Sequence, residues 1–141
     1  MPDAATALDP NALLDKAQRQ TGLSDFGGTA FREPFEILLK SLRDEAQLNP
    51  RGLFMMSRTM LRLLTNRLHT EAAFAENPAL ADVEIPRPLY IIGFPRTGTT
   101  LLHNLLACDP AARWMRLWEG LSPAPPPPSL EADPRIAEVE D

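Results

Sequence analysis

Hydrophobic residues recur every three or four positions over the first half of the chain, a pattern typical of amphipathic helices. It predicts three helices: one from Asp9-Pro10 to Gly22, one beginning near Pro34, and one from Asn49-Pro50 to Asn77-Pro78. These boundaries follow because Asp or Asn caps a helix and Pro suits its first position. The residues expected to face inward are Leu13, Leu14, Ala17, Phe35, Leu38, Leu39, Leu42, Ala46, Leu53, Met56, Met60, Leu61, Leu64 and Leu68, and those expected to reach solvent are Arg58, Arg62 and Arg67.

The pattern changes after the prolines at 86 and 88, where Leu89-Tyr90-Ile91-Ile92 is a continuous apolar run followed by Gly93. Such a short run predicts a strand buried on both faces, as in a parallel sheet. A helix is predicted over residues 99–107, and residues 114–119 fit either a strand or a short helix. We therefore expect an α/β arrangement with a parallel sheet, preceded by an N-terminal helical region. The expected domains are residues 1–85 and 86–141.

The end of the chain predicts an incomplete domain. Residues 125–128 are all proline and indicate a rigid polyproline connector. Asp133-Pro134 predicts a new helix, yet the chain stops seven residues after Pro134. A buried parallel strand also needs parallel neighbours. We expect this chain to be a fragment that is inactive alone.

The segment Gly93-Phe94-Pro95-Arg96-Thr97-Gly98-Thr99-Thr100 joins the predicted strand to the predicted helix. Its glycine spacing matches the nucleotide-binding P-loop, but Thr99 stands at the position of the P-loop lysine. Backbone N–H groups and the helix N-terminus still favour a phosphate or sulfate group there. Arg96 adds a planar fork of donors. Without the lysine, an ATPase or kinase would lose a main contact to the β- and γ-phosphates, so a phosphosulfate suits this loop better.

The run PLYIIGFPRTGTTLLHNLLACD (residues 88–109) closely resembles the 5′-phosphosulfate-binding loop of bacterial sulfotransferases that use 3′-phosphoadenylyl sulfate (PAPS). The flanking segments TGLSDFG, EAQLNP and LWEGLSPAPPP are similar as well. The resemblance implies an α/β fold with a P-loop-like parallel sheet, incomplete in this chain and preceded by an N-terminal helical region. It also implies transfer of a sulfuryl group from PAPS, as co-substrate and without a metal, to a hydroxyl or amine acceptor. That acceptor would be a small molecule, a lipid or a glycan. The family's arginine and serine for the 3′-phosphate would lie beyond residue 141.

The same resemblance implies roles for individual residues. Those that would hold the 5′-phosphosulfate are Arg96, Thr97, Gly98, Thr99 and Thr100, and Arg96 would also stabilise the leaving phosphate. Glu119 is a candidate general base for the acceptor's proton, although a solvated or structurally paired carboxylate explains it equally well. His103, His69 and Cys108 receive no functional role, because an edge-of-helix or buried position accounts for each of them.

Two other functions stay open at this point. One is an ATP- or GTP-dependent phosphotransferase with a variant P-loop, which needs an acidic residue after a further strand. The other is a non-catalytic helical interaction module formed by residues 9–76.

Composition and charge limit the partners and the cellular location expected for the protein. The net charge of -5 argues against nucleic acid as a partner. With one cysteine, no signal-peptide pattern and no run of about 20 apolar residues, we expect a cytoplasmic protein without a transmembrane segment. Twelve arginines against two lysines are typical of a GC-rich bacterial genome. Oligomerisation stays open.

Overall fold

Helices dominate the structure, a computed structural model that describes residues 4–125 and 133–137. The helices are α1 (Ala4–Ala7), α2 (Pro10–Thr21), α3 (Arg32–Asp44), α4 (Pro50–Glu76), α5 (Thr99–Leu106) and α6 (Leu117–Leu121). Three 3₁₀ turns span Thr29–Phe31, Pro78–Asp82 and Pro134–Ile136. These residues form two compact units, one of residues 4–78 with 123–125 and one of residues 79–122 with 133–137. The predicted domains, 1–85 and 86–141, stay a prediction.

The ends of the helices follow from local signals. The Asp9 side chain accepts a hydrogen bond from the Ala12 N–H (2.8 Å), and the Asn49 side chain accepts one from Gly52 (2.8 Å). Each cap precedes a proline at the first helical position. Gly22 ends α2 at φ 71°, a left-handed conformation that glycine adopts without a steric penalty. The predicted boundaries of α2 and α4 are therefore confirmed.

The core of the first unit lies where α2 packs against α4. Its buried residues are Leu8, Leu13, Leu14, Ala17, Phe26, Leu39, Met60, Leu64 and Leu68. The inward faces predicted for α2 and α4 are confirmed, with Leu53, Met56 and Leu61 partly buried against this core. The prediction for α3 is only partly right. Leu39 is buried and Phe35 and Leu42 pack beside the core, but Leu38 is exposed and Ala46 lies past the end of the helix.

Arg58 and Arg62 are exposed as expected, and Arg67, with a side chain that is 34% exposed, reaches solvent in part. Its guanidinium lies 4.3 Å from the centre of the Phe31 ring, and its Nε donates to the main-chain oxygen of Phe26. The segment after α2 turns back onto α4 through Gly27, at φ 70°. Helical periodicity carries no information about this return of the chain, which brings Phe26 and Phe31 to Arg67.

The predicted strand at residues 89–92 is not confirmed. Residues 83–86 and 88–94 have no regular secondary structure, and the described residues contain no strand. Leu89, Tyr90 and Ile92 are 74%, 77% and 92% exposed. A parallel strand is held by hydrogen bonds to neighbouring strands and by helices on its faces. The described part of the chain supplies neither to this segment.

The remaining elements of the second unit are short. Residues 114–119 lead into a short helix, α6, which was one of the two predicted alternatives. The helix start predicted at Asp133-Pro134 forms the 3₁₀ turn Pro134–Ile136 with an Asp133 cap. Most of the predicted polyproline connector, residues 126–128, lies outside the described residues. No helix in the described ranges combines the length and apolarity needed to cross a membrane.

Candidate anion-binding site

The loop of residues 93–98 and the first turn of α5 bring the predicted phosphosulfate ligands together. The first hydrogen bond of α5 runs from the Leu102 N–H to the Gly98 oxygen (3.0 Å), and no side chain caps the helix at Gly98. The N–H groups before Leu102 thus have no intrahelical acceptor. Together with the partial positive charge of the helix end, they form a site suited to an anion.

Two residues with positive φ shape the loop. Gly98 has φ 86° and Arg96 has φ 68°. Left-handed backbone is easy for glycine but costs a residue with a Cβ of order 1 kcal/mol. Alternation of right- and left-handed residues is how a chain turns several N–H groups toward one side, as in anion-binding nests. The backbone of this loop is therefore compatible with the phosphate or sulfate site predicted from its sequence.

Gly93, the first residue of the loop, lies close to the side chains of Thr97 and Thr99. A Cβ at this position would come 2.8 Å from Oγ1 of Thr97 and 2.9 Å from Cγ2 of Thr99. The Thr97 hydroxyl donates to the Phe94 main-chain oxygen at 2.6 Å. This hydrogen bond closes the turn and uses the hydroxyl proton of Thr97. Thr97 can thus offer an anion its N–H group, while Thr99 and Thr100 begin the helix, with Thr100 exposed.

Glu119 lies in α6 and has defined partners for both carboxylate oxygens. Oε2 accepts from the Arg116 N–H (2.8 Å), and Oε1 accepts from Arg113 Nη2 (2.7 Å). Its side chain is 13% exposed, against 68% for that of Arg113. The Arg116 N–H holds the pKa of Glu119 below its usual range; Arg113 adds to this, while desolvation opposes it. The acid thus caps its own helix in this arrangement.

Sequence reasoning missed three features of the second unit: the two arginine partners of Glu119, the contact of Arg116 with two indole rings, and a buried ion pair. The Arg116 guanidinium lies 5.5 Å from the Trp114 ring and 5.3 Å from the Trp118 ring. Asp133 and Arg135 are the charged residues that the described ranges bury. Only the Asp-Pro-Arg spacing hinted at the pair, through the cap at Asp133.

The other sequence candidates have unremarkable surroundings. His103 is a half-buried residue of α5, and Cys108 is exposed just after that helix, contrary to the buried position expected for it. His69 is a half-buried residue of α4. Across residues 4–125 and 133–137 no group of three or more His, Cys, Asp and Glu side chains is arranged to hold a metal ion.

Comparisons with known proteins agree with the resemblance of the loop to that of sulfotransferases. Residues 88–140 match the model of a family described as "Sulfotransferase family". The structure is similar to the crystal structure of sulfotransferase STF1 from Mycobacterium tuberculosis H37Rv, with a TM-score of 0.80 and 34% identity over 92% of this chain and 36% of that one. It is also similar to sulfotransferase STF9 from Mycobacterium avium, with a TM-score of 0.78 and 30% identity over 92% of this chain and 34% of that one. The chain thus spans about a third of the length of these proteins. No curated protein matches the sequence.

Proposed function

The chain belongs to the sulfotransferase family, and from that premise we propose that it binds the 5′-phosphosulfate end of PAPS at residues 93–100. The observation that carries this proposal is the uncapped N-terminus of α5 behind a left-handed glycine, in a loop whose P-loop lysine is replaced by Thr99. A helix end and convergent N–H groups stabilise a modestly charged anion without a metal. The proposed reaction is sulfuryl transfer to a hydroxyl or amine acceptor.

The chain's own residues have distinct parts in this proposal. PAPS supplies a sulfuryl group attached to a phosphate that can leave. The N–H groups of residues 97–100 would hold the phosphosulfate oxygens, and Arg96 would face the charge that develops on the leaving phosphate. An arginine suits this role because its charge is permanent and its planar fork matches phosphate oxygens. Stabilisation of developing charge by fixed donors is a large contribution to catalysis in general.

The acceptor's proton needs a base, and we keep Glu119 as the candidate. A carboxylate with both oxygens bound and a lowered pKa is a weak proton acceptor. The proposal therefore requires that Arg113 release Glu119 when an acceptor is present. The large exposure of the Arg113 side chain is compatible with such a release.

The proposal also covers the fold of the second unit around residues 89–92. Residues 89–92 and the exposed leucines of α5 (Leu101, Leu102, Leu105 and Leu106) are the parts that a parallel sheet would cover. We propose that residues 89–92 are the strand of a P-loop-like α/β domain. Apolar side chains exposed in this number on one short helix favour burial against further structure.

Calorimetric titration of the full chain with adenosine 3′,5′-bisphosphate, the desulfated form of PAPS, tests the proposal. We expect binding that does not need magnesium. Arg96→Gln should weaken this binding about 10- to 100-fold, because a hydrogen bond to a charged group contributes about 1.5–3 kcal/mol. Arg87→Gln is a matched control, since Arg87 is also exposed and has φ 50°.

Two results would count against this function. One is an Arg96→Gln affinity equal to that of wild type. The other is tight, magnesium-dependent ATP binding in place of bisphosphate binding, which would favour the phosphotransferase alternative.

A further inference from the structure

We propose that Asp133 and Arg135 are positioning residues that hold α6, and with it the carboxylate of Glu119, on the acceptor side of the proposed transfer reaction. The inference rests on the proposed function, because it assigns Glu119 to that side. Asp133 is 4% exposed and Arg135 9%, although charged residues are rarely buried without a specific partner.

The pair is tightly bound within itself. Arg135 Nη2 donates to Asp133 Oδ2 at 2.7 Å, and Nε donates to Oδ1 at 2.9 Å. The Arg135 N–H also donates to Oδ1 (3.0 Å), so Asp133 caps the turn Pro134–Ile136. The Arg135 guanidinium and N–H, with a smaller contribution from the Trp118 side chain, hold the pKa of Asp133 below its usual range. The pair is therefore ionised at neutral pH and held together by several hydrogen bonds.

One remaining donor of the pair reaches α6. Arg135 Nη1 donates to the main-chain oxygen of Ser122 at 2.7 Å. Ser122 directly follows the last residue of α6. The carbonyl groups at a helix end have no intrahelical donor and carry partial negative charge, so an arginine there stabilises the helix end. The turn Pro134–Ile136 also packs against α6. The pair thus connects residues on the two sides of the proline run to one another.

The helix needs such support because it is only five residues long. Isolated helices shorter than about 12 residues are marginal in water. Glu119 secures the start of α6 through the Arg116 N–H, and Arg135 secures its end through Ser122. If the end is released, the cap at the start loses the helix that it closes, and the carboxylate loses its fixed position.

The test uses the full chain without any nucleotide or acceptor, so it does not depend on the acceptor's identity. Arg135→Gln should move the pH midpoint of the Glu119 carboxyl, followed by carbon-13 NMR, upward toward the ordinary glutamate range. It should also lower the hydrogen-exchange protection of the Gly120 and Ser122 amides at least fivefold, because these two amides form α6 hydrogen bonds. Arg135→Lys should give smaller changes than Arg135→Gln because lysine keeps the positive charge. It should not restore the wild-type values, since lysine lacks the fork that contacts Asp133 and Ser122 together. Arg87→Gln should change neither quantity.

A Glu119 midpoint and α6 protection that stay unchanged in Arg135→Gln would overturn the inference. A general folding defect is recognised by bisphosphate titration, where we expect wild-type affinity for Arg135→Gln. Loss of that binding together with α6 protection would also overturn the inference, because the pair would then hold the whole unit. If the wild-type chain itself fails to bind the bisphosphate, the proposed function falls, whereas the response of Glu119 to Arg135→Gln remains measurable.

Discussion

Gly93 occupies a position in the loop where a methyl group would collide with two threonines. The clash would involve Thr97 Oγ1 and Thr99 Cγ2, both short side chains on β-branched residues. Such side chains have few alternative rotamers, so the backbone itself would have to shift. Together with the left-handed Gly98, this crowding explains why the two glycines of the motif stand where they do. Their spacing is visible in the sequence, whereas the contacts are not.

Substitution of Gly93 should therefore damage the proposed anion site. We expect Gly93→Ala to weaken binding of adenosine 3′,5′-bisphosphate about tenfold or more, equivalent to about 1.4 kcal/mol, as measured by calorimetry. Gly28→Ala is the control, because a Cβ at Gly28 would meet no atom within 4 Å. Equal affinities for the two variants would show that this crowding does not set the geometry of the site.

At the level of elements, α6 shows how a residue chosen as a catalytic candidate can also be structural. Its sequence, with Glu119 at the third position, allows a cap on the Arg116 N–H, and the structure forms that bond. The arginine at 113 that completes the arrangement lies six residues away, a spacing with no periodic meaning in a helix or a strand. The cap therefore follows a local spacing rule that can be recognised in a sequence, whereas the ion pair does not.

The lowered pKa of Glu119 makes a pH-dependent prediction. A carboxyl group with a lowered pKa in the folded state contributes stability above its unfolded pKa of about 4.3, and this contribution disappears as the pH falls through the folded value. Glu119→Gln should thus lower the exchange protection of the Gly120 and Ser122 amides at pH 7 but have little effect at a pH below the folded pKa of Glu119. Glu84→Gln, at an exposed site in the same unit, should change little at either pH. A loss of equal size at both pH values would exclude ionisation as the cause.

At the scale of the whole molecule, the hydrophobic core belongs to the helical unit. All the buried hydrophobic residues of the described ranges lie between Leu8 and Leu68. The second unit buries the Asp133–Arg135 pair instead, while the leucines of α5 stay exposed. This distribution fits a chain that spans about a third of the length of its structural relatives.

The core of the helical unit can be tested with two leucines of α4. Leu68→Ala should lower the free energy of unfolding by about 2–5 kcal/mol, because it removes a fully buried side chain and leaves a cavity. Leu63→Ala should have a much smaller effect, since Leu63 is 52% exposed in the same helix. Urea denaturation followed by far-UV circular dichroism measures both. Equal destabilisation by the two variants would contradict the packing of α4 described above.

The sequence alone specified the features that depend on neighbouring residues. Caps at Asp9 and Asn49, the inward faces of α2 and α4, and the helix that starts at Thr99 all follow from spacing and residue type, because a helix satisfies its hydrogen bonds within a few residues. Only the tertiary structure decided which distant groups meet. Arg67 turned toward Phe26 and Phe31, Arg135 reached Ser122, and residues 89–92 met no partner strand within the described ranges. The reason is that such contacts depend on how the chain returns on itself, and periodicity along the sequence does not encode that path.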